Sequence, residues 1–287
     1  MSAAYDIDAL LSEVVTLPSL PGTVARLVQI VDDPNTSVAD VSSLIAADPA
    51  ISLKALRLVN SAYYGLRDRV RTVEHAVALL GVKVIKNMVL TATVFEVINT
   101  GVDAFTKHCV ATGVAMRVLT RAQLPVSAHV DPEEAFLFGL LHDIGKVVLD
   151  EYLPNECAAV ADLTQEAHCS WHEAELRVIG VGHGELGARL MEQWKLPDEF
   201  AQAIAGHHDL SVCPPGQTSL PATLAIANYI VSMCGIPSYD HPVFQLDGAW
   251  WEAAGISNEA LPALLDAFFE EVPTIHSMMA LALGENA

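Results

Sequence analysis

Five histidines and one aspartate stand in stretches that are otherwise apolar. They are His108 in FTKHCVATGVA, His142-Asp143 in GLLHDIGK, His183 in GVGHGELGARL and His207-His208 in AIAGHHD. Burying such groups costs free energy unless each finds a partner. Neutral imidazole and carboxylate are good ligands for Fe, Mn, Zn or Ni, so one or two divalent ions would satisfy the set together. For His142-Asp143 taken alone, a hydrogen-bonded core pair is the commoner explanation. Successive helical residues point about 100° apart, so the two side chains can flank one ion, or Asp143 can bridge two. Lys146 follows one turn later on the same side, where an ammonium suits a phosphate facing the ion. Asp143 and Lys146 are therefore the candidate catalytic groups.

The elements that must hold these side chains read as helices. Asp48-Pro49 and Asp131-Pro132 each place a capping aspartate before a proline at the first helical position. Ser170 and Glu173 form a capping box. The helix opened by Asp131-Pro132 is expected to run without a break to Pro154, with His142-Asp143 about three turns in. SVADVSSLIAA and NEALPALLDAFFEEV also carry the helical period, and Pro262 predicts a kink or a late start in the second. No run of alternating β-branched residues lies between hairpin turns. The expected fold is all-α, with an N-terminal helical bundle over residues 1–100 packed on a second helical domain over 101–287. The boundary is placed at NTGVDAF, because ten of the eleven histidines follow it.

Composition narrows the function. The chain has 287 residues, 52% of them hydrophobic and 17% charged, which is far from a disordered composition. The longest apolar runs are interrupted by Lys83, Lys86 or Asn228. None reaches the roughly 20 residues of a membrane span. The start, MSAAYDIDALLSEVV, has no basic region resembling a signal peptide. Five scattered cysteines fit a reducing cytosol. A net charge of −20 argues against general nucleic-acid affinity.

The charge is uneven, however. Residues 54–86 carry seven basic side chains and two acidic ones, a local +5 that leaves −25 elsewhere. That segment either docks on the protein's own acidic half or meets an acidic partner or a phosphate-bearing ligand. Residues 37–60 have the outline of a DNA-reading helix-turn-helix. The second helix offers mostly Ile51, Leu53, Ala55, Leu56, Leu58 and Val59, which is packing rather than base readout. Cys157, His168, Cys169 and His172 lack the paired spacing of structural zinc and are expected to be exposed or core residues. Trp250 and Trp251 fit either a core or a partner patch.

The order His108, His142-Asp143, His183, His207-His208 resembles the HD superfamily of metal-dependent phosphohydrolases. Over nearly the whole chain the closer resemblance is to its HDOD branch, the HD-related output domains of bacterial signalling. The motifs that carry it are LPSLPGTVARLVQIV, LIAADPAISLKALRLVNSAYYG, HAVALLGVKVIKNMV, GLLHDIGKVVLDEY and HGELGARLMEQWKLP. The resemblance implies an HD-like helical domain and a cytoplasmic signalling module that works through a protein partner. It implies one metal set of His108, His142, Asp143 and a late aspartate, and a second of Asp143, His183, His207 and His208. Asn228 stands where the late aspartate is expected, and the Gly-Tyr-Pro signature of the cyclic di-GMP phosphodiesterases is missing. The expected function is a regulatory output module with a histidine-rich pocket. The alternatives are an active phosphohydrolase on a phosphoester or nucleotide and, further off, a DNA-binding regulator.

Overall fold

The computed structural model describes residues 20–283 except 32, 34, 62–63, 99–102, 123–129 and 240–245. Every regular element among the described residues is helical. The boundary predicted within NTGVDAF lies mostly outside the described residues, and so does the N-terminal segment read for a leader.

In the N-terminal part, α1 (Gly22–Val31), α3 (Pro49–Val59) and α4 (Val73–Leu80) pack on α5 (Val82–Ile98), and α2 (Val38–Ala46) packs on α1, α3 and α4. Local signals set their ends. Ser37 and Asp40 complete a capping box at α2, and Asp48 caps α3 through the amides of Ala50 and Ile51. Asn60 ends α3 and clamps the following loop, with Val70 N donating to its Oδ1 and its Nδ2 donating to Val70 O, each at 2.8 Å. That loop holds Arg67, Arg69 and Arg71 on the surface.

Next come α6 (Asp103–Arg121), α7 (Pro132–Leu141), α8 (Ile144–Tyr152), α9 (Pro154–Ala167), α10 (Trp171–Val178), α11 (His183–Gln193), α12 (Asp198–Gly206) and α13 (Ser219–Met233). The last stretch holds α14 (Gly248–Ala254), α15 (Leu261–Glu270) and α16 (Val272–Ala282). Asp131 and Ser170 cap α7 and α10 as their sequences predict. Pro262 marks a late start, since a short 3₁₀ turn at Asn258–Ala260 precedes α15. One apolar core runs from Leu20 to Ala282 and includes Trp250 and Trp251. A smaller core around Leu149, Cys157, Val160, Cys169 and Trp171 sits under α9 and α10.

The buried α6 is the axis of the fold, packing on α7, α13, α15 and α16. Its Arg117 is buried and lies 3.0 Å from Glu271 and 3.8 Å from Glu133; Tyr64 donates to the same Glu133 at 3.0 Å. These contacts tie the loop after α3 to α6, α7 and the α15–α16 corner.

The unbroken helix expected from Asp131 to Pro154 is not what forms. The helix stops at Leu141, turns through His142 and Asp143, and restarts at Ile144. Asp143 has φ −98° and ψ 8°, outside the helical well, and Lys146 N donates to Asp143 O at 2.9 Å in a tighter turn. Close backbone packing holds each limb. A Cβ on Gly139 would lie 2.4 Å from Thr112 O of α6, and one on Gly145 would lie 2.0 Å from His183 O of α11. The break lets α7 lie against α6 while α8 lies against α11.

Gly139→Ala forces the α6 and α7 backbones apart and is expected to cost about 1–3 kcal/mol or more, the range of overpacked cores. Gly248, whose missing side chain faces open space, is the control. Gly248→Ala should stay within about 0.5 kcal/mol of the parent. Urea unfolding compares them, and equal midpoints for the two variants would refute the close-packing account.

Candidate metal centre

Asp143 sits at the helix break with no solvent exposure. Its two oxygens face different histidines. Oδ2 lies 3.6 Å from His108 Nε2 and 3.4 Å from His142 Nε2. Oδ1 lies 3.2 Å from His183 Nε2 and 3.9 Å from His207 Nε2. His108 comes from α6, His142 follows α7, His183 opens α11, and His207 and His208 follow α12. The structure thus brings together the five histidines read as candidate metal ligands. Two groups can each converge on one ion: His108, His142 and Asp143; and Asp143, His183, His207 and His208.

The outward nitrogens of four rings are already engaged. His108 Nδ1 lies 2.7 Å from Ile236 O, His142 Nδ1 2.7 Å from Gly139 O, and His207 Nδ1 2.6 Å from Ile204 O. A carbonyl only accepts, so each of these Nδ1 atoms carries the proton, and in the neutral ring Nε2 is a bare lone pair. His183 Nδ1 lies 2.6 Å from Glu175 Oε2, which also accepts from the His183 amide at 2.9 Å. Yet the inward nitrogens face one another. His108 Nε2 and His142 Nε2 are 3.2 Å apart, and His183 Nε2 and His207 Nε2 are 3.3 Å apart. Two lone pairs at that distance repel unless a proton or a cation sits between them.

At the first pair, burial works against the proton. Burial pushes His108 down to about 3, with the neighbouring His142 adding to the effect. Burial also pushes His142 down to about 4, against the pull of Asp143. Both rings are neutral at neutral pH. His207 and His208 are held well below their usual range, first by burial and then by the adjacent histidines. His183 differs. Burial opposes its charge, but the Glu175 carboxylate outweighs burial and raises it. An ion bound there would compete with the His183 proton. Burial alone would raise Asp143; the His142 ring and the Lys146 ammonium instead hold it well below the carboxylate range. The donor set therefore fits a divalent ion, with imidazole and carboxylate ligands already oriented by their outer hydrogen bonds.

Lys146, read as a phosphate holder, lies within the cluster. Its ammonium is 2.7 Å from Asp143 Oδ2 and 2.9 Å from Ser238 Oγ, and the residue is only 4% exposed. It thus caps the same Asp143 oxygen that faces His108 and His142. Asn228 lines the cavity beside the cluster together with Lys146, His172, His207 and His208, and its Oδ1 accepts from Ser232 at 3.4 Å. That cavity holds about 30 Å³, room for a water or two and far below the volume of a nucleotide pocket.

Several participants escaped the sequence reading. Glu175 orients His183, Ser238 holds Lys146 and Ile236 orients His108. Among the residues expected to be exposed or core, Cys157, His168 and Cys169 conform. His172 does not. Its ring stacks on His208 with centroids 5.0 Å apart, and it forms a third ion-capable group with Glu175 and His183. Glu175 had a legible signal, since it lies on the buried stripe of α10 with Trp171 and Ala174. Ile236 and Ser238 come from the loop after α13 and have none.

The HDOD domain family model matches residues 17–210, about two thirds of the chain. An uncharacterized protein of Treponema pallidum is 26% identical over 223 residues, which are 75% of this chain; the aligned region spans 42% of that relative's length. An HDOD domain protein of unknown function from Geobacter sulfurreducens shares the fold with a TM-score of 0.74 and 23% identity, covering 96% of this chain and 95% of its own. A Marinobacter aquaeolei protein, provisionally assigned to signal transduction, shares it with a TM-score of 0.75 and 22% identity over 98% of this chain and 61% of its own. No described helix is long and apolar enough to cross a membrane.

Protonation of the cluster should be visible in stability. In the metal-stripped protein, unfolded histidines take protons near pH 6.5, while folded His108 and His142 refuse them down to about 3 and 4. Stability should therefore fall as pH drops from about 6.5 toward 4, each withheld proton adding about 1.4 kcal/mol per pH unit. His183, raised in the fold, contributes stability below about 6.5 that is lost as pH rises through its folded value. Urea midpoints across this range test the account, and His108→Gln should flatten the acid slope. A midpoint independent of pH between about 6.5 and 4.5 would contradict it.

Proposed function

The chain belongs to the HDOD domain family, and on that premise we propose that it is a regulatory module whose His-Asp pocket holds one divalent ion without hydrolysing a substrate. The asymmetry around Asp143 carries the proposal. On the Oδ1 side stand His183, His207 and His208, with Glu175 behind His183. On the Oδ2 side stand only His108 and His142, and Lys146 already donates to that oxygen. By the family resemblance, a late aspartate would complete that set, and this chain has the neutral amide of Asn228 in its place. The ion therefore belongs on the Oδ1 side, and its identity falls among Zn, Fe, Mn and Ni, which suit imidazole and carboxylate donors.

When bound, such an ion could polarise a phosphoryl oxygen or lower the pKa of a water. The phosphohydrolase reading uses the same histidines, with Asp143 and Lys146 as the catalytic groups. Against it stand the small cavity, about 30 Å³, and the contacts that already engage the Lys146 ammonium with Asp143 and Ser238. What this chain's residues do instead is orient. Glu175, Gly139 O, Ile204 O and Ile236 O fix the imidazoles, and Lys146 balances the carboxylate.

The module would act through a protein partner, as expected for a signalling domain. The fitting surface is the exposed set Arg57, Arg67, Arg69 and Arg71, for which no ion pair occurs among the described residues. It suits an acidic partner better than duplex DNA, given the overall charge of −20.

The test is metal content by mass spectrometry on protein purified without a His-tag or added metal. About one equivalent is expected, lost in Asp143→Ala and in His183→Ala but kept in His108→Ala. Phosphoester turnover should be absent throughout. Two equivalents in the parent, or turnover abolished by Asp143→Ala, would establish the phosphohydrolase instead.

A further inference from the structure

A second cavity, of about 320 Å³, lies where α5 faces α7 and α12. That volume is near the lower end for small-molecule pockets, which run from roughly 300 to 1,000 Å³. Packing does not explain the side chains that α5 turns toward it. Lys86 is 6% exposed, and it makes no hydrogen bond or ion pair with any described residue. The adjacent Asn87 is 5% exposed, and its amide oxygen has no hydrogen-bond partner. Lys86 lines the cavity with its ammonium uncommitted to a described residue, and a buried acceptor lacking a donor, as at Asn87 Oδ1, is costly. The Asn87 oxygen needs a donor that the fold does not provide.

The rest of the lining narrows the ligand. Across from Lys86 and Lys83 stand three acids, Asp131, Glu134 and Glu199, so a dianion would meet net repulsion. Phe138 and Phe200, stacked with centroids 4.1 Å apart, give the cavity an apolar wall. One anionic group, one N–H donor and an apolar body satisfy all three surfaces at once. We propose that the cavity between α5, α7 and α12 binds a free apolar α-amino acid. Its carboxylate meets Lys86, its ammonium meets Asn87 Oδ1 and the acidic rim, and its side chain lies on Phe138 and Phe200. The proposal does not depend on an ion in the His-Asp pocket.

The experiment is thermal melting of the full chain with each free L-amino acid and with inorganic phosphate at millimolar concentration, followed by calorimetry on the hits. At least one of leucine, isoleucine, valine, methionine or phenylalanine should raise the Tm by a few degrees, and its N-acetyl derivative should not. Lys86→Met and Asn87→Leu should weaken binding at least about tenfold. Glu199→Gln, at the exposed rim, should weaken it several-fold, and it decides the matter if the buried variants fail to fold. The proposal is overturned if no amino acid shifts the Tm, if phosphate alone does, or if binding survives unchanged in the folded variants.

Discussion

Asp143 carries a negative charge at a point without solvent, and such a charge persists only where cations or donors surround it. Much of the second half of the molecule supplies that surround. Lys146 gives one ammonium, the His183 ring is raised toward its charged form by Glu175, and three more imidazoles stand close with their lone pairs turned inward. The outer hydrogen bonds of those rings leave the inward lone pairs unsatisfied. An ion on the Oδ1 side would take up the lone pairs of His207 and His208 in place of the His183 proton, while Lys146 balances the Oδ2 side of the carboxylate.

The helices are arranged to hold this geometry tightly. The turn at His142-Asp143 is possible because Gly139 lets α7 touch α6 and Gly145 lets α8 touch α11. His108 and His142 are thereby fixed by one helix pair, and His183 by the other. The same α7 and α12 that end at His142 and His207 also wall the cavity beside Lys86 and Asn87. The two sites share a scaffold although they share no ligand chemistry.

Much of this was legible in the chain. The capping residues marked real helix starts at Ser170, Asp131 and Asp48, because an N-cap is a local interaction between neighbours in sequence. The histidines were legible as a group, since polar residues in apolar helices need partners. The helix break was not, because it arises from backbone contacts of Gly139 and Gly145 with residues far along the chain. The full set of contacts of Lys146 was not legible for a similar reason. Its spacing from Asp143 suggested a cation on the same side, but Ser238, which also holds the ammonium, lies more than 90 residues later. His172 was missed because His208, which stacks on it, is brought near only by the packing of α10, α11 and α12.

The most direct measurement is anomalous X-ray scattering from crystals of the protein purified without added metal, recorded at the absorption edges of Mn, Fe, Ni and Zn. The account predicts one peak, bounded by Asp143 Oδ1 and the Nε2 atoms of His183 and His207. Two peaks, one on each side of the Asp143 carboxylate, would contradict it, as would no peak in a map where all five histidines are ordered.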